Sequence, residues 1–115
     1  MTAPILLASQ SEIRSTLLRN AGVHFEAIAA RVDEDAIRMA LVAEGAPPRD
    51  IADTLAEMKA RKLSDKRPDA LVIGADQVLE LDARLLSKPE SPEEAKAQLQ
   101  FMRGKTHRLL TACVV

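Results

Sequence analysis

Apolar residues along this chain fall into short runs and helical stripes, each closed by a turn-forming residue. Pro4 to Ala8 is a strand-sized apolar run and reads as a buried strand. Ser9-Gln10-Ser11 then offers N-cap residues. Ile13, Leu17, Leu18 and Ala21 fall on one face of the helix that follows, and Gly22 closes it. Val23 to Ala29 alternates weakly and reads as a second strand. Asp33-Glu34-Asp35 is expected as an acidic turn leading into a helix near Ile37 to Glu44, ended by Gly45. Pro47-Pro48 interrupts the chain, and Pro48 suits the first turn of the next helix. Ile51, Leu55, Met58 and Lys62 recur there at helical spacing. A polar turn from Asp65 to Pro68 precedes the clearest buried strand, Leu71 to Ala75. Gln77 to Leu86 reads as a hairpin turning at Asp82-Ala83. Ser91-Pro92-Glu93-Glu94 is a capping box with proline in the first turn. Ala95, Leu99 and Met102 make the apolar face of that helix, and Gly104 stops it. Thr106 to Val115 reads as a last strand.

Strands alternating with helices give an α/β class, a mixed sheet flanked by helices in a single domain over residues 1–115. The sequence stops inside an apolar stretch, Leu109 to Val115. The expectation is a domain truncated at its C-terminus, or a last strand that pairs with something else. Composition narrows the functional classes. Hydrophobic residues at 47% and charged residues at 29% have the balance of a soluble globular protein. No apolar run approaches the ~20 residues that cross a bilayer, so no membrane partner is expected. The N-terminus lacks the positive region of a secretory signal, and the lone Cys113 agrees with a reducing compartment, so a cytoplasmic location is expected. A net charge of −1 leaves no basic field for nucleic acid, and aromatics at 2% leave no base-stacking platform.

The candidate chemistry sits at the ends of elements. Asp76 follows Ile73-Gly74-Ala75 at an expected strand end, where α/β proteins bind ligands. An acid there acts as a general base or metal ligand, or simply forms a turn. Ser9 and Ser11 precede a helix whose first-turn N–H groups favour an anion, and Arg14 can add a bidentate phosphate contact. An ordinary capped helix with a surface arginine has the same pattern. Asp33-Glu34-Asp35 supplies oxygens for magnesium or manganese, or serves the dipole of the helix it precedes. Lys59, Arg61, Lys62, Lys66 and Arg67 form a basic stretch toward a helix end, and Lys88 stands on a turn stiffened by Pro89. Together these give anion sites at Arg14 with Lys59 or Lys88, and acids at Glu34 and Asp76. Such a set suits phosphoryl or nucleotidyl hydrolysis on a metal-bound polyphosphate.

At this point the sequence resembles the Maf family of nucleotide pyrophosphatases. Leu7-Ala8-Ser9-Gln10-Ser11-Glu12-Ile13-Arg14 is similar to its L-A-S-x-S-x-x-R opening, and Asp33-Glu34 to its D-E pair. Ala56-Glu57-Met58-Lys59-Ala60 is similar to A-x-x-K-A, Gly74-Ala75-Asp76-Gln77-Val78 to G-A-D-x-V, and Lys88-Pro89 to K-P. Ala95, Leu99, Met102, Gly104, His107 and Thr111 keep the spacing of the family's later motif. The resemblance spans essentially the whole chain, as the N-terminal portion of the family domain. It implies an elongated fold of the inosine-triphosphate-pyrophosphatase type, which hydrolyses nucleoside triphosphates to monophosphate and pyrophosphate with Mg²⁺ or Mn²⁺. It implies Asp76 as catalytic acid and metal ligand, and Glu34 as a metal-site carboxylate. Ser9, Arg14, Lys59 and Lys88 are implied as triphosphate-binding residues. Gln77 and Ile13 stand at specificity positions. Gln77 resembles the branch acting on 7-methyl-GTP, and Ile13 fits neither branch. A homodimer is implied as well. The alternatives are a non-catalytic regulator of septum formation, for which the family was first noted, a phosphatase releasing phosphate, or an inactive fragment.

Overall fold

The computed structural model describes residues 2–115. Its elements run β1 (Ile5–Leu7), α1 (Glu12–Asn20), β2 (Glu26–Ala27), α2 (Glu34–Ala43), α3 (Pro48–Ser64), β3 (Leu71–Leu81), β4 (Arg84–Leu86), α4 (Pro92–Met102) and β5 (His107–Val114). The strands form one mixed sheet in the order β2-β1-β3-β4, with β5 also on β3. β1 runs parallel to β2 and to the first residues of β3, Leu71 to Ile73. From Gly74 onward β3 changes partner and pairs antiparallel with β5, from Gly74↔Val114 to Leu81↔His107. The molecule is elongated, 52 × 33 × 22 Å, with a radius of gyration of 15.8 Å. A compact domain of this length has about 13 Å.

Local chemistry sets most boundaries. Ser11 Oγ accepts from Arg14 N–H at 3.2 Å and starts α1, and Asp33 Oδ1 accepts from Ala36 N–H at 3.1 Å and starts α2. Pro48 sits in the first turn of α3. Ser91 Oγ accepts from Glu94 N–H, while the Glu94 carboxylate reaches back to the N–H of Glu90, one residue beyond the usual capping-box target. The β3–β4 hairpin turns at Asp82 and Ala83, whose φ angles of 51° and 63° are left-handed. This is the backbone of a two-residue primed turn. Alanine is strained there, so Ala83→Gly is expected to stabilise the fold by about 1 kcal/mol, read as a raised denaturation midpoint. An unchanged midpoint would remove that account of the turn.

α3 organises the core. Ile51, Ala52, Leu55 and Ala56 pack with Val78 and Ala112 of the β3–β5 half, whereas Ala60 and Leu63 pack with Leu6, Ala8 and Val72 of the β1–β3 half. Helix and strand touch backbone to side at Gly74. A Cβ there would stand 2.2 Å from the Ala56 carbonyl oxygen and 2.8 Å from Ala60 Cβ. Glycine is required because α3 lies directly on β3 at this point.

Several expectations are corrected. β3 is one 11-residue strand through Asp76 and Gln77, so Asp76 is not at a strand end. β5 supplies an uninterrupted partner from Gly74 to Leu81 and overrides the turn preference of aspartate. Asp33-Glu34-Asp35 is not a free turn: Asp33 caps α2, and Glu34 and Asp35 are its first two residues. On α3 the buried stripe passes through Lys59 and leaves Met58 39% exposed. The apolar faces expected on α1 and α4 do not enter the core. Ile13 and Leu17 are 75% and 63% exposed and Leu99 is 66% exposed. α1 is turned instead so that Ser15 is buried and Arg14 reaches β3.

Candidate functional site

The close approach at Gly74 carries α3 past Asp76, the next inward residue on β3. One turn of α3 beyond Ala56, Lys59 points at the same place. Its Nζ donates to Asp76 Oδ1 at 3.1 Å and to the Ala75 carbonyl at 3.2 Å, and it forms an ion pair with Glu34 Oε1 at 2.7 Å. Two of the three ammonium donors are thus hydrogen-bonded, and the charge is shared between two carboxylates. Lys59 and Asp76 are 7% and 5% exposed, burial that charged side chains tolerate when paired. Glu34 is half-buried and enters from the first turn of α2.

Arg14 approaches from α1. Its Nη1 donates to the same Ala75 carbonyl at 3.1 Å, so that oxygen accepts from both Arg14 and Lys59. Two cations and two carboxylates, drawn from α1, α2, α3 and β3, therefore converge just past the carboxyl end of β1. One atom is unsatisfied: Asp76 Oδ2 is buried without a hydrogen-bond partner. A buried carboxylate oxygen of this kind needs a reason, such as a water, an ion or a proton to accept. Four of the implied residues, Arg14, Glu34, Lys59 and Asp76, are thus brought together.

The others lie around or apart from this cluster. Ser9 follows β1 directly, half-buried, and its Oγ accepts from Ser11 N–H at 3.0 Å. A cleft of about 420 Å³ opens beside it, lined by Ser9, Ser11, Ser15, Thr16 and Arg19 of the β1–α1 segment and by Ala29. Lys88 is exposed on the loop between β4 and α4. Ile13 is exposed on the first turn of α1. Gln77 alternates to the sheet face opposite Asp76. It is exposed there, and its Oε1 accepts from Thr111 Oγ1 of β5 at 2.8 Å.

Sequence reading missed two features. The Ala75 carbonyl is a shared acceptor that no side-chain pattern announces. Ser15 and Thr16 line the cleft, and only the turning of α1 puts them there. Elsewhere, in the turn before β3, a hydrogen bond from Arg67 holds the Asp69 carboxyl below its ordinary range and raises Arg67. A lowered folded-state value means that this pair favours folding above the unfolded carboxyl's range and ceases to as pH falls through the folded one.

The family described as Maf-like protein matches residues 4–115. A curated relative from Ruegeria pomeroyi, named nucleoside triphosphate pyrophosphatase, is 60% identical over 115 residues, which is 100% of this chain and 58% of the relative. One of the same name from Caulobacter vibrioides is 58% identical over 112 residues, 97% of this chain and 56% of the relative. A relative from Brucella abortus, named 7-methyl-GTP pyrophosphatase, is 47% identical over 115 residues, 100% of this chain and 58% of the relative. The chain thus spans a little over half the length of these curated relatives.

Proposed function

Because the chain belongs to the Maf-like protein family, we propose that its acid–lysine cluster hydrolyses nucleoside triphosphates to a nucleoside monophosphate and pyrophosphate. The observation that carries this reading is the unpartnered Asp76 Oδ2, buried on a carboxylate that Lys59 holds, next in sequence to the Ala75 carbonyl that Arg14 binds. An acceptor without a donor, on a carboxylate held by a lysine, is what a water attacking a polyphosphate needs. Asp76 takes the proton of that water as its oxygen bonds to phosphorus. The bridge between the α- and β-phosphates breaks, and negative charge passes to the departing pyrophosphate. Arg14, Lys59 and the first N–H groups of α1 meet that charge, with Ser9 at the mouth of the cleft. Lys88 joins them from its exposed loop.

The residues fit a divalent cation. Among the described residues no group of three His, Cys, Asp or Glu side chains converges. Glu34 and Asp76 alone suit Mg²⁺ or Mn²⁺, ions that take one or two carboxylates and complete their shell with water and substrate phosphates. Such an ion would neutralise phosphate charge during cleavage. The base is left to the test: Gln77 agrees with the 7-methyl-GTP branch, whereas the Ruegeria and Caulobacter relatives carry the broader name. Within this reading the protein works in the cytoplasm, where its substrates are, and as a homodimer.

A panel of ordinary and 7-methylated nucleoside triphosphates, incubated with Mg²⁺ or Mn²⁺ and resolved by chromatography, tests the reaction. Monophosphate as the first nucleotide product is expected. Accumulation of diphosphate would mean a phosphatase and would overturn the assignment.

A further inference from the structure

Lys59 is usually the kind of residue one would assign to substrate alone, yet here its amine is already engaged by the protein. It donates to Asp76 and the Ala75 carbonyl and is ion-paired with Glu34. The two carboxylates are consequently held around a nitrogen. We propose that Lys59 is a built-in counter-ion occupying the place of the divalent cation, and that the cation enters only as Lys59 moves out onto phosphate oxygens. This inference rests on the reading above that Glu34 and Asp76 hold the metal.

The argument is one of space and charge. Glu34 Oε1 and Asp76 Oδ1 lie 2.7 and 3.1 Å from the same Nζ. Mg²⁺ binds oxygen at about 2.0–2.1 Å, so an ion shared by these two oxygens takes the ground the amine now holds. A double positive charge beside an ammonium in a buried pocket is also strongly repelled. The reverse is also costly: two carboxylates, one of them 7% exposed in its side chain, would lose the one cation in direct contact with both if Lys59 simply left. Exchange of one cation for another avoids both states. A triphosphate provides the departing lysine with new acceptors, so metal and nucleotide are expected to bind as a coupled pair. The protein would then ignore free metal and respond to the metal–nucleotide complex.

The test is Mn²⁺ titration by calorimetry, without nucleotide, on the wild-type chain and on Lys59→Met and Lys59→Arg. Methionine keeps the length of the side chain and removes its charge, whereas arginine keeps the charge. Lys59→Met is expected to bind Mn²⁺ roughly tenfold or more tightly than wild type, and Lys59→Arg to stay weak. Equal, saturable binding by wild type and Lys59→Met overturns the exchange while leaving the metal site standing. Failure of every variant to bind Mn²⁺ overturns the metal reading, and the exchange with it. Should circular dichroism show Lys59→Met unfolded, wild-type protein labelled with ¹⁵N-lysine decides the matter. The Lys59 side-chain resonance is expected to stay in place with Mg²⁺ alone and to move on saturation with Mg²⁺ and nucleoside triphosphate together, and a resonance that stays in place with both overturns the exchange.

Discussion

Replacing Asp76 by asparagine is expected to lower turnover by about 10²- to 10⁴-fold while leaving the chain folded. Asparagine keeps a carbonyl oxygen where Oδ1 accepts from Lys59, and Lys59 retains Glu34 and the Ala75 carbonyl. The amide nitrogen replaces Oδ2, the atom that has no partner. It offers hydrogens where the proposed reaction needs a proton acceptor. Weakening of one buried charged contact should cost stability no more than about 1–3 kcal/mol. A folded variant with little activity is therefore the expected pair of results, read by circular dichroism and steady-state kinetics. Wild-type rates in a folded Asp76→Asn chain would remove Asp76 from the chemistry.

Gly74→Ala should have the largest effect on stability, about 3 kcal/mol or more, from one added methyl group. The new Cβ would lie 2.2 Å from a backbone oxygen of α3, which no rotamer change relieves. Either α3 lifts from β3 or the strand shifts, and either movement separates Lys59 from Asp76. Activity should fall with stability even though Gly74 itself offers no functional group. The check is thermal denaturation alongside the nucleotide assay. A midpoint within a degree of wild type would show that the helix–strand contact is softer than described.

Much of this was legible in the chain because it is decided locally. Ser11, Pro48 and Ser91 mark helix starts through their own side chains or ring, and Asp82-Ala83 marks the hairpin. Asp76 misled because aspartate after Gly-Ala resembles a turn. Only the distant strand β5 keeps it in register. Lys59 misled differently. It sits in a run of basic residues that describes a solvated helix end, and apolar spacing pointed to Met58. The approach of Ala56 and Ala60 to Gly74 fixes the helix rotation that buries the lysine, and that is a tertiary fact. The faces of α1 and α4 were legible as apolar, but their exposure is set by how Arg14 and the sheet orient α1 and by how little of α4 is covered. Arg14, Glu34, Lys59 and Asp76, which the structure brings together, could be named from the sequence because their motifs resemble one family. Their geometry could not, since Glu34, Lys59 and Asp76 meet only when α2 and α3 have packed.

The most direct test of the central claim is phosphate release from the preferred nucleoside triphosphate by this chain, measured with and without added inorganic pyrophosphatase. The account predicts a metal-dependent signal only when that enzyme is present, because the product is pyrophosphate. Equal signal without it, or no signal from a folded sample at saturating metal and nucleotide, would contradict the claim that this cluster cleaves between the α- and β-phosphates.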